Sequence, residues 1–103
     1  MSVLSMKEIV EKIKPIIKEY QIPEVWIFGS YARNEASENS DIDLVVNSSD
    51  IDDYTFLFDL EEKIEKVLNR SVDIIEEETL YNNRTPQRER FNTSVRNEMF
   101  KLI

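Results

Sequence analysis

Residues 25–46 read VWIFGSYARNEASENSDIDLVV. Val25-Trp26-Ile27-Phe28 is a short apolar run suited to a buried strand, and Gly29-Ser30 ends it. Tyr31 to about Glu35 reads as a short helix, and Glu35–Ser40 is a polar loop. Asp41-Ile42-Asp43-Leu44-Val45-Val46 then alternates polar and apolar before becoming wholly apolar, which predicts a second strand.

Working outward, Ser5-Met6-Lys7-Glu8 has the form of a capping box. Ile9, Ile13, Ile16, Ile17 and Tyr20 recur at helical spacing behind it, predicting a first helix to about Tyr20. A bend is expected near Pro15, which lacks the amide for an interior bond. Downstream, Asn47-Ser48-Ser49-Asp50 reads as a turn and cap. Leu57, Leu60, Ile64, Val67 and Leu68 mark a helix from about Asp53 to Asn69 that packs on the sheet. Val72-Asp73-Ile74-Ile75 gives a third strand, roughly Pro86 to Asn97 a last helix, and Met99–Ile103 a short edge strand. The order predicts an α/β fold, a small mixed sheet covered by helices, as one domain over residues 1–103.

Composition removes whole classes of chemistry. The chain has no His and no Cys, which excludes imidazole bases, thiolate nucleophiles and the usual zinc sites. Any metal must be held by oxygen, which selects hard cations such as Mg²⁺, Mn²⁺ or Ca²⁺. No apolar run approaches the roughly 18 residues of a membrane span, and Lys and Glu throughout the first residues are unlike a signal peptide. A cytoplasmic location is the expectation. Net charge is −8. It is uneven: residues 1–80 carry eight basic and nineteen acidic groups, and residues 81–103 five and two. The acidic balance disfavours nucleic acid as a partner. Arg84, Arg88, Arg90, Arg96 and Lys101 could meet a phosphate or an acidic partner, or simply line a solvated helix face.

The candidate site begins at Gly29, the only glycine, where average usage of about 7% would give about seven. A glycine at a strand end lets backbone approach a ligand, and a following helix N-terminus offers amides to an anion. Ser30 adds a hydroxyl donor. A plain strand-to-helix turn explains the same pair. Asp41 and Asp43, two apart on a strand, project from one face with Ile42 reversed into the core. Two such carboxylates repel unless a cation neutralises them, and two divalent ions there could clamp the attacking and leaving oxygens of a triphosphate reaction. Two solvated acids at the start of an edge strand are the alternative. Asp73 stands in a run that reads as buried strand, where an unpaired carboxylate is costly. Beside the second strand it can complete the metal site and help deprotonate an acceptor hydroxyl; otherwise it pairs with Arg70 or a helix terminus. Glu76 is a fallback within the solvated run Glu76-Glu77-Glu78. Trp26, Phe28, Phe56 and Phe58 lie in apolar patterns and are assigned to the core rather than to base stacking. Tyr31 either borders the nucleotide or packs its helix.

Gly29-Ser30, ten residues, then Asp41-Ile42-Asp43 resembles the signature of the DNA polymerase β-like nucleotidyltransferase superfamily. The fuller stretch FGSYARNEASENSDIDLVV resembles the minimal nucleotidyltransferases, small proteins commonly paired with HEPN proteins as antitoxin and toxin. That resemblance covers nearly the whole chain and implies a polymerase β palm-like fold. It implies Gly29 and Ser30 as the phosphate-holding turn, Asp41, Asp43 and Asp73 as catalytic metal ligands for two Mg²⁺, and ATP as substrate. Arg33 matches a frequent Arg and is implied as a phosphate contact, with pairing to Glu35 or Glu38 as the alternative. Asn34 departs from a frequent Gly, and it tolerates the left-handed conformation. The implied function is AMP transfer from ATP to a tyrosine of a cognate HEPN toxin, the antitoxin of a type VII pair. A non-catalytic binding antitoxin and an aminoglycoside-type small-molecule transferase are the alternatives. Homo- and hetero-oligomers both stay open.

Overall fold

The computed structural model describes residues 3–47, 55–82 and 84–103. The turn and cap expected over Ser48–Asp50, and the expected helix start at Asp53, lie outside them. Helix α1 spans Met6–Glu19 and opens with the capping box: Glu8 N–H donates to the Ser5 hydroxyl while the Glu8 carboxylate accepts from Ser5 N–H. It continues through Pro15 as one helix and buries Ile9, Ile13, Ile16 and Ile17. Gln21, at φ 56°, stops it in the left-handed conformation, and Ile22 N–H returns to Ile17 carbonyl.

Strands β1 (Glu24–Phe28), β2 (Ile42–Asn47), β3 (Val72–Glu76) and β4 (Phe100–Lys101) form one sheet in the order β3-β2-β1-β4. β2 runs antiparallel to β1 and parallel to β3, and β4 is antiparallel to β1. The sheet is therefore mixed, and β2 is interior. One face takes Val25, Ile27, Ile42, Leu44, Val46 and Val72 into a core with α1 and helix α2 (Thr55–Leu68). The other face takes Phe28 and Val45 into a smaller core with Leu80 and Val95. Leu80 belongs to a 3₁₀ helix, Glu77–Tyr81, and Val95 to helix α3, Pro86–Glu98. Among the described residues no helix is long and apolar enough to cross a membrane.

Four expectations are corrected. Residues Tyr31–Glu35 form a single closed turn rather than a helix, because Asn34 adopts φ 60° and ends it. Glu76 is partly buried rather than solvated, and the acidic run does not stay irregular: Glu77 and Glu78 open the 3₁₀ helix, whose Leu80 is fully buried. Phe58 is 75% exposed and Val67 41%, so neither fills the core. The buried positions Leu60, Ile64 and Leu68 of α2 fall four apart, which leaves Phe58 on the far side and Val67 at the margin.

The second core fixes α3. Asn92, fully buried, donates to the Thr79 carbonyl at 3.1 Å, and the Arg96 guanidinium donates to the Leu80 carbonyl while lying 5.1 Å from the Tyr81 ring centre. Truncating Leu80→Ala should cost about 2–4 kcal/mol, read as a lower urea midpoint at unchanged slope. A loss below about 1 kcal/mol would mean that this side of the sheet is not packed as described.

Candidate active site

Gly29 follows the last residue of β1 with φ 75°. A Cβ there would overlap Asp43 Oδ2 and stand 3.3 Å from Asp43 Cγ. Two independent constraints thus exclude a side chain: the left-handed backbone, and a carboxylate resting on the bare Cα. The turn closes behind it, with Arg33 N–H donating to the Gly29 carbonyl and Glu35 N–H to the Ser30 carbonyl. With only one helical turn present, no helix N-terminus faces an anion; what the turn offers is the Gly29 amide and the Ser30 hydroxyl. Tyr31 is buried in the main core, where burial pushes its hydroxyl pKa up. It packs, and does not border the site.

The carboxylates come together through register. Phe28 of β1 faces Asp43 of β2, and Asp43 faces Asp73 of β3. Asp43 sits between Ile42 and Leu44, both fully buried on the opposite face. Asp41 immediately precedes β2 and is exposed. Asp73 is also exposed, because β3 is an edge strand, so the cost of burial expected for it does not arise. Asp43 itself is half-buried, on an interior strand rather than an edge. Burial, then the charges of Asp73 and Asp41, push its carboxyl from 3.8 up to about 6, and Arg33 opposes them. Among the described residues no three acids are already gathered closely enough to enclose an ion. The donor set nevertheless suits a hard divalent cation: all oxygen, on adjacent strands, with one member whose charge is destabilised by the other two. Glu76, three residues past Asp73, points to the other face of the strand and is no substitute for it.

Sequence reasoning missed Glu98, the last residue of α3. Its Oε1 accepts from Gly29 N–H at 2.8 Å, and both its oxygens accept from the Arg33 guanidinium, at 3.2 and 3.1 Å. Arg33 also pairs with Glu35 at 3.3 Å. No local signal marks Glu98; only the return of α3 and β4 to β1 brings it 69 residues back to the turn. Glu61 of α2 was missed as well: burial, Glu65 and Asp73 raise its pKa, which extends the acidic surface beyond Asp73.

The raised Asp43 value makes a stability prediction. Since the folded-state pKa lies above the unfolded one, ionising Asp43 destabilises the fold. The penalty grows as pH rises from about 4 to about 6 and is complete above that. Discounted for partial exposure, it amounts to about 1–2 kcal/mol. In EDTA, Asp43→Asn should therefore be more stable than the parent at pH 7.5, with the gap closing by pH 4. A constant gap across that range in denaturant titrations would contradict the assignment.

The family described as polymerase beta, nucleotidyltransferase matches residues 11–94. MJ1215 of Methanocaldococcus jannaschii, which carries a provisional protein adenylyltransferase name, is 46% identical over 71 residues, spanning 68% of this chain and 83% of its own. The protein adenylyltransferase MntA of Thermococcus cleftensis is 32% identical over 84 residues, spanning 78% and 85%. A solved complex of the tri-AMPylated Shewanella oneidensis HEPN toxin with its MNT antitoxin contains a chain of the same fold. It matches with TM-score 0.65 at 19% identity, over 95% of this chain and 71% of that one. The strand-end glycine, the in-register acids and these matches agree: the chain belongs to the polymerase β nucleotidyltransferase family.

Proposed function

We propose that this chain, acting as one domain, transfers AMP from ATP to a tyrosine hydroxyl of a cognate HEPN toxin and so serves as its antitoxin. The observation that carries the chemistry is the row of Asp43 and Asp73, with Asp41 beside it, against the bare Cα of Gly29. The protein acceptor is supported by the relatives' adenylyltransferase names and by the AMPylated toxin in the Shewanella complex. It is supported again by the exposure of Asp73 on an edge strand. A small acceptor needs walls around it, whereas a protein acceptor brings its own surface.

Asp41, Asp43 and Asp73 would hold Mg²⁺, two ions on this reading. Bound cations would neutralise the triphosphate and stabilise charge on the entering and leaving oxygens. The Gly29 amide and Ser30 hydroxyl donate to the β- and γ-phosphates, and Arg33 offers a guanidinium on the same side. The acceptor oxygen bonds to the α-phosphorus as the bond from that phosphorus to the bridging oxygen breaks, and pyrophosphate leaves. Asp73, on the open side, takes the hydroxyl proton on its carboxylate. Catalysis here is positioning and charge stabilisation more than covalent chemistry.

Incubating the purified chain with labelled ATP, Mg²⁺ and the HEPN partner should place label on the partner. Asp43→Asn should reduce that transfer by about a thousandfold or more. Toxin neutralisation that survives Asp43→Asn, with no AMP adduct by mass spectrometry, would make the protein a binding antitoxin instead. Label on aminoglycosides rather than on the partner would overturn the acceptor. Adding Mg²⁺ at pH 7.5 should raise the melting temperature of the parent and leave that of Asp43→Asn unmoved; an equal rise in both would place the cation elsewhere.

A further inference from the structure

Two of the donors assigned to the phosphates, the Gly29 amide and Arg33, are already occupied. One carboxylate, Glu98, accepts from the Gly29 amide at 2.8 Å and takes the Arg33 guanidinium with both oxygens. A backbone amide at a glycine turn and an arginine fork are the donor types that hold phosphates. A carboxylate is a smaller anion of the same kind. It is not placed there to relieve charge, since Asp43 lies close by and its ionisation is further opposed by Glu98. The backbone at Glu98 is anchored: Met99 N–H returns to the Val95 carbonyl, and β4 pairs with β1 directly after. The side chain, in contrast, is 24% exposed and has solvent into which it can turn.

We propose that Glu98 is a resident anion on the phosphate cradle, displaced when a nucleotide's phosphate takes the Gly29 amide and Arg33, and that it thereby sets how tightly and how selectively the site takes nucleotide. The proposal rests on the nucleotidyl-transfer reading. An anion that meets only these donors exchanges one ionic hydrogen-bonded partner for another and gains little. A polyphosphate arriving with a cation gains the carboxylates of β2 and β3 as well, so only that ligand displaces Glu98 with a net gain. Glu98 thus acts as a selectivity residue against free phosphate and other small anions.

The test is a calorimetric titration of the full chain and of Glu98→Ala with two probes. These are a non-hydrolysable ATP analogue with Mg²⁺, and inorganic pyrophosphate in EDTA. Glu98→Ala should bind the analogue about tenfold more tightly than the parent and should acquire pyrophosphate binding that the parent lacks. A residue that merely braces the turn would give the opposite result, weaker analogue binding and no pyrophosphate site, and unchanged affinities would equally overturn the proposal. Should Glu98→Ala fold poorly by thermal melt, Glu98→Gln keeps the length and one acceptor, and should show the same two changes at smaller size. The underlying reading is checked separately. If the parent binds no analogue with Mg²⁺, or binds it as well after Asp43→Asn, nucleotidyl transfer fails whatever Glu98 does. If the parent binds and Asp43→Asn does not, a failure to tighten in Glu98→Ala removes Glu98 alone.

Discussion

The Asp43 carboxylate rests on the bare Cα of Gly29, and the rest of the structure is arranged to keep it there. That contact brings a backbone amide already holding an anion, Glu98, and a half-buried carboxylate to one place, which ordinary side chains at position 29 would forbid. It also sets a cost. Asp43 is half-buried beside two further carboxylates, and its ionised form is destabilised by burial first and by their charges second. An arrangement that works against itself electrostatically must be held by something else, and here the apolar faces of the sheet hold it.

Register is how they do so. Ile42 and Leu44 flank Asp43, are fully buried, and lock β2 between β1 and β3. Sliding β2 by one residue would bury the acids among α1 and α2 and turn Ile42, Leu44 and Val46 out of the main core. The hydrophobic core therefore specifies the acid row without touching it. The second core has a different task. Leu80, Val95 and the buried Asn92 dock α3 across the opposite face, so that its last residue, Glu98, ends at the Gly29 turn. Of the basic residues near the C-terminus, Arg96 is spent on Leu80 and Tyr81 and Lys101 on Glu24. Arg88 and Arg90 are exposed on α3, and Arg84 is exposed just before it.

What could be read in advance follows from locality. Strand alternation around Ile42, the capping box at Ser5 and the isoleucine spacing of α1 are short-range patterns, and each appears with boundaries off by a residue or so. Gly29 was legible as a strand-end glycine, but its second reason, the Asp43 oxygen on its Cα, is a contact across the sheet and has no sequence signature. Asp73 was singled out on the premise that its strand is buried. The premise fails because β3 is an edge, yet parallel pairing still sets Asp73 opposite Asp43. Glu98, Asn92 and the 3₁₀ helix were not legible at all. Their roles depend on where α3 docks, which no window of a few residues encodes.

The charge pattern follows from the same geometry. On the proposed reading a strongly acidic chain hosts a triphosphate, and Arg33, the cation that acts on Asp43, does little to correct the charge because it is shared between Glu98 and Glu35. Each carboxylate added around Asp43 makes the site worse for an anion arriving alone and better for one that brings divalent cations. On the proposed reading, excess negative charge therefore discriminates between ligands: it weakens the binding of bare phosphates near Asp41, Asp43 and Asp73, while Glu98 keeps them off the turn. Both barriers fall together only to a metal-bound polyphosphate, which meets the acids with its cations and the Gly29 amide with its oxygens.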